Sequence, residues 1–128
     1  MRFRTLVCAT AILAAMSGMA SGQTVTRYLD RSLYPSRISS VDFQNGSVMS
    51  ASTPACWGSW CVRIGPSTTA DYNSHGLLIV DQLPCTNSVV GEKTCFMILD
   101  KDSCSLWIQG EAQDSHGIKC PKSLDISR

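Results

Sequence analysis

Six cysteines crowd into the stretch from residue 56 to residue 120, at Cys56, Cys61, Cys85, Cys95, Cys104 and Cys120; only Cys8 lies elsewhere. A segment of about 65 residues is marginal for a hydrophobic core of its own, and each cross-link typically adds about 2 to 4 kcal/mol by restricting the unfolded chain. These cysteines therefore read as a framework of three disulfides. A zinc site is the rival, but the intervening residues number four, 23, nine, eight and 15, no Cys-x-x-Cys pair occurs, and His75 and His116 are the only imidazoles. No metal or other cofactor is expected. Which cysteine joins which stays open, because six cysteines permit many connectivities and spacing does not choose among them.

Disulfides require an oxidising compartment, and the N-terminus supplies the route to one. "MRFR" precedes an apolar run over residues 6–16 and the small, polar "SGMASGQ", the layout of a secretory signal peptide. Residues 1–22 are expected to leave, taking Cys8 with them, and a mature start at Ser21 or Gln23 fits the small-residue cleavage rule. No later stretch approaches the roughly 18 apolar residues needed to span a bilayer. The expected product is exported, soluble and monomeric. A formal net charge of +1 without blocks of like charge implies neither a nucleic acid nor a membrane as partner. The sequon Asn45-Gly46-Ser47 is a glycosylation candidate, and its Asn-Gly step would equally suit a turn.

Composition divides the mature chain. Residues 23–55 lack cysteine and are rich in Ser, Thr, Arg and Gln, yet they hold Val25, Tyr28, Leu29, Leu33, Tyr34, Ile38, Val41 and Phe43. They are expected to form a partly flexible N-terminal extension that packs as an arm, or forms a short helix or strand, on a domain over residues 56–122, with 123–128 as a C-terminal tail. Within the domain the pattern is that of short strands. "WCVRI" ends at Gly65-Pro66, "GLLIVDQL" stops at Pro84, and "SVV" precedes a turn at "GEK". "TCFMIL" and "CSLWIQ" flank "DKDS", whose Asp and Ser side chains suit a hairpin connection. "GIKC" supplies a last strand. The expectation is all-β, six strands, with no helix.

Candidates for chemistry are few. His75 and His116 lie in "NSHG" and "DSHG"; with Glu92 or Glu111 they could compose the acid-base set of a small secreted ribonuclease, although nothing in the sequence places them together. Asp100 and Asp102 flank Lys101, but calcium wants six or more oxygens and no alternating ligand loop surrounds them. Trp57, Trp60 and Trp107 could stack on sugars or anchor an interface, as in an antimicrobial or sugar-binding module. Trp107 lies between Leu106 and Ile108, so in a strand it points away from both; core filling is the ordinary role for at least one of the three.

The order of these pieces resembles the MAX effectors, the avirulence proteins and ToxB-like toxins of plant-pathogenic fungi. "CVRIG" is similar to their first strand, "FMILDKDSCSLWI" to the fourth strand, turn and fifth strand, and "IQGEAQDSHGIKC" to the ToxB segment that leads into the sixth. The resemblance covers about residues 60–120. It implies a six-stranded sandwich of two three-stranded antiparallel sheets and pairs Cys61 with Cys104 and Cys85 with Cys120, which leaves Cys56 with Cys95. It also implies a secreted virulence effector without enzymatic activity, working in the apoplast or inside the host cell and open to recognition by an immune receptor. Its partner would be a host protein, such as a small heavy-metal-associated domain, engaged by strand addition at a sheet edge. The edge would be "GLLIVDQL" or "TNSVV", with His75, Asp81, Gln82, Thr86 and Asn87 as the polar positions beside it, and Trp107 as a further contact.

Overall fold

The computed structural model describes residues 23–26, 32, 34–43, 47–111 and 115–127. The expected signal segment and the Asn45 sequon lie outside them. The expected all-β, disulfide-braced class is the class observed, with eleven strands in one curled antiparallel sheet. They are β1 (Gln23–Thr26), β2 (Ser36–Asp42), β3 (Val48–Ser50), β4 (Ala55–Trp57), β5 (Trp60–Val62), β6 (Thr69–Tyr72), β7 (Leu78–Asn87), β8 (Gly91–Asp100), β9 (Ser103–Ile108), β10 (Ser115–Ile118) and β11 (Ser123–Ser127). The main path runs β1-β11-β2-β6-β7-β8-β9-β10; β3 branches from β2, and the β4–β5 hairpin joins β7 through β5. Among the described residues no helix is long and apolar enough to cross a membrane.

Alternation along these strands sends one face inward. Leu78, Val80, Leu83 and Cys85 on β7, Cys95, Met97 and Leu99 on β8, and Leu106 and Ile108 on β9 line the core. Two bulges adjust the phase. Val80 stands opposite Met97 while Leu83 stands opposite Cys95, so Asp81 and Gln82 together face one residue, and Gln82 takes a φ of 59°. A register shift between Asp125 and Ile126 does the same on β2, which is why Ile38 and Val41, three apart, are both buried.

Several strand assignments differ from expectation. β7 does not stop at Pro84 but runs on to Asn87. Asp81 is the last β7 partner of β6 and Cys85 lies where β5 begins to pair, so Pro84 sits in the gap between them. Its carbonyl accepts Arg63 N–H at 3.0 Å, and its missing donor points to that same gap, where no ladder bond is lost. Residues 88–90, expected as a strand, are the β7–β8 turn: Asn87 Oδ1 accepts from Val89 and Val90 N–H at 2.8 and 3.2 Å. The "GEK" expected as a turn opens β8. "GLLIVDQL" is also not an edge, since β8 flanks one side of β7 and β6 and β5 share the other.

Nor is the N-terminal region only an arm, or 123–128 a tail. Ile38, Val41 and Met49 are core residues, and β11 inserts between β1 and β2 with Leu124 and Ile126 fully buried. These apolar residues cover the inner face that the cysteine-bearing strands leave open.

The disulfides are Cys56–Cys61, Cys85–Cys95 and Cys104–Cys120, which corrects the pairing implied by the resemblance. Every bridge joins neighbouring segments. Cys56 faces Cys61 across the β4–β5 hairpin. Cys85 is diagonal to Cys95, two positions along from the Leu83–Cys95 pair. Cys120 lies two residues beyond Ile118, the partner of Cys104. A Cys61–Cys104 bond would have to cross β7 and β8, which separate β5 from β9. In place of two separate three-stranded sheets, the strands among the described residues are joined in one curled, sandwich-like sheet.

A groove between free strand edges

Curling brings the end strand β10 beside the β3 and β4 segments. The chain leaves β10, passes through residues 119–122 and enters β11 beside β2; on the way Lys122 N–H donates to the Asp42 carbonyl at 2.6 Å. The β2–β3 hairpin is closed by Phe43 N–H donating to the Ser47 carbonyl at 2.8 Å, and the turn into β4 by Ser50 N–H donating to the Thr53 carbonyl at 2.8 Å. Where these segments meet they leave an open groove of about 860 Å³.

Its walls mix apolar side chains with the polar Ser47 and Thr53. Phe43 and Trp57 meet edge to face, centroids 5.2 Å apart, and Val48, Pro54, Ala55 and Ile118 continue the surface. Lys119 is the one ionised side chain among the lining residues. β4 pairs only with β5 and β10 only with β9 among the described residues, so two strands present an unpaired side near one cleft; on β3 the groups of Ser50 are already engaged, its N–H by the Thr53 carbonyl and its carbonyl by Ile64 N–H at 3.2 Å. Such an arrangement can receive an extended segment: main-chain edges offer hydrogen bonds, and the apolar stretches of the wall offer contacts for alternate side chains.

The residues singled out from sequence do not gather here. His75 is exposed in the turn before β7, its N–H donating to Asn73 Oδ1 at 2.9 Å. Asp81 and Gln82 form the β7 bulge, where Gln82 N–H donates to Asp81 Oδ1 at 2.8 Å. Thr86 pairs with both Cys61 and Glu92, and Asn87 caps the turn and donates from Nδ2 to Ser59 Oγ at 2.7 Å. These positions run the length of an internal strand and serve its turns and bulge. Of the ribonuclease-like set, His75 and Glu92 are not brought together. His75 precedes β7 while Glu92 stands opposite Thr86 near its far end, about 30 Å away at roughly 3.3 Å per residue. His116 pairs with Leu106, and a side-chain carbon on Gly58 would come 3.6 Å from its Cε1, which puts the ring over the β4–β5 turn. Among the described residues no three His, Cys, Asp or Glu side chains are grouped as metal ligands would be.

The tryptophans divide by environment. Trp60 is buried in the core, Trp57 is half-buried on the groove wall, and Trp107 points outward as its position between Leu106 and Ile108 requires. Trp107 lies parallel to Phe96, centroids 6.3 Å apart, and donates from Nε1 to Ser105 Oγ at 2.7 Å. Sequence reasoning weighed Trp57 but passed over Phe43, Val48, Ile118 and Lys119 as site residues. Only the curl of the sheet joins those four, and no local pattern announces it. No protein-family model, curated protein or solved structure matches this chain.

Proposed function

We propose that the chain is an exported effector that acts by binding a host protein, taking an extended segment of that protein into the groove between β4 and β10. The observation behind this reading is that two unpaired strand edges, those of β4 and β10, border one cleft with an aromatic wall. The segment best suited has apolar side chains at alternate positions, for Phe43, Trp57 and Ile118, and an acidic residue for Lys119. A small heavy-metal-associated domain, the partner nominated by the fungal-effector resemblance, is the first host protein to test.

The experiment is affinity capture from host extract, followed by binding of the purified partner to three forms of the protein. Ile118→Arg in the groove is expected to weaken binding at least about tenfold, equivalent to about 1.4 kcal/mol, while Val89→Ser, on the exposed β7–β8 turn and outside the groove lining, leaves it unchanged. Equal affinity for all three forms would discard the groove. Hydrolysis of RNA that disappears in His116→Ala would replace the reading with an enzymatic one. A sugar-binding role is the second reading, favoured by the parallel Phe96 and Trp107 rings on the outer face; a glycan array with Trp107→Ala as control tests it.

A further inference from the structure

The three bridges differ in what surrounds them. Cys85 and Cys95 are 1% and 0% exposed, and Cys104 and Cys120 are 6% and 9% exposed. A reductant reaches these sulfurs only when strands separate. Cys56 is exposed and Cys61 half-buried, and their bridge closes the shortest loop, at a sequence separation of five against ten and 16. Cys56 also lines the groove. Thiol–disulfide exchange depends on access to the sulfur attacked, so exposed bridges exchange while buried ones persist.

We propose that Cys56–Cys61 is a thiol-exchange site on the groove wall, opened by small thiols of the glutathione class under conditions that leave the other two bridges closed, and that its opening releases β4. The incoming thiolate attacks Cys56 Sγ. A new S–S bond forms to the attacking sulfur as the bond to Cys61 breaks, and the electron pair leaves on Cys61 Sγ, which takes a proton from water. A second thiolate then attacks the small thiol's own sulfur in the mixed disulfide; the pair leaves on Cys56 Sγ, which is protonated in turn. Two thiols are oxidised to one small disulfide, and the protein gains two electrons and two protons.

Apart from the bridge, β4 is held by its short ladder to β5 and by the packing of Ala55 and Trp57 on the core and on Phe43. It is three residues long and is paired only with β5, through Ala55–Val62, Cys56–Cys61 and Trp57–Trp60. β5 stays anchored on β7, so it is the edge strand β4, three residues long and without its central bond, that detaches, and Trp57 leaves the groove wall with it. This consequence rests on the groove reading, whereas the selectivity of exchange does not.

The test is incubation of the oxidised protein in graded ratios of reduced to oxidised glutathione, then acid quench, alkylation and peptide mapping. Cys56 and Cys61 are expected to be alkylated at a ratio about tenfold lower than any that labels the other four. Simultaneous labelling of all six cysteines, or earlier labelling of either buried pair, overturns the proposal. The Cys56→Ser/Cys61→Ser double variant supplies the second arm: it should keep cooperative unfolding and bind the host partner at least about tenfold more weakly. Unchanged partner binding by that variant, with the labelling order as expected, would overturn the release of β4 and leave the exchange site standing.

Discussion

Leu124 stands directly opposite Val41 in the β11–β2 register, and both side chains are fully buried. Residues that read as a tail are thus part of the core. Leu124→Ala should cost roughly 2 to 5 kcal/mol, the range for removing a buried leucine side chain where neighbours cannot collapse. Urea denaturation measures it directly, and a loss below about 0.5 kcal/mol would argue that β11 does not pack there.

Thr68 is fully buried beside the bulge, where its Oγ1 accepts from Gly65 N–H at 2.8 Å and donates to the Gln82 carbonyl at 2.6 Å. Thr68→Val keeps the shape but strips a donor and an acceptor of their partner, for an expected loss of about 1 to 3 kcal/mol. Thr68→Ser, which retains the hydroxyl, should lose less. Equal losses in thermal or urea melts would assign the effect to packing alone.

Gly65 permits a close approach: a Cβ built there would lie 2.8 Å from Pro84 Cγ and 3.0 Å from Cδ. The proline ring cannot swing aside as a flexible chain would. Gly65→Ala should therefore destabilise by about 1 to 3 kcal/mol, and adding Pro84→Ala should recover part of that. The double-mutant coupling energy is the readout, and additive losses would count against the contact.

Trp60 and Trp107 offer a contrast between the two faces of the sheet. Trp60→Ala removes a core side chain and should cost about 3 to 5 kcal/mol. Trp107→Ala gives up outer-face burial and a ring pair worth about 0.5 to 1.5 kcal/mol, so its effect on chemical denaturation should be clearly smaller. The reverse order would mean that the sheet faces are exchanged.

Non-reducing peptide mapping should return Cys56 with Cys61, Cys85 with Cys95 and Cys104 with Cys120. A Cys61–Cys104 peptide would contradict the register that separates β5 from β9 by two strands.

What could be read from the sequence was local. The β8–β9 hairpin was legible because "FMIL" and "LWI" flank a turn of polar residues, and Asp100 does pair with Ser103 across it. Trp107 facing outward followed from strand alternation, and the all-β class from the spacing of apolar runs. The bulge at Asp81 and Gln82 was hidden because two polar residues in an apolar run look like a strand end, and Pro84 reinforced that reading. β2 and β11 were missed for different reasons: the extra residue Ser39 breaks the period-two signal of β2, and β11 is short and pairs with β2 across more than 80 residues of sequence. The groove was the least legible feature, since Phe43, Trp57 and Ile118 come from three separate hairpins or edges that only the curl of the sheet unites.

All three cystines fall within residues 56–120, while β1, β2, β3 and β11 join the sheet without a single covalent tie. The molecule therefore has a stapled half and a zipped half. Under denaturant, heat or pulling force the zipped half can peel away with every bond of the chain intact, leaving a cystine-braced remnant of β4 to β10 whose inner face is newly wetted. Amide exchange should read this as two tiers of protection, the faster one on β2 and β11.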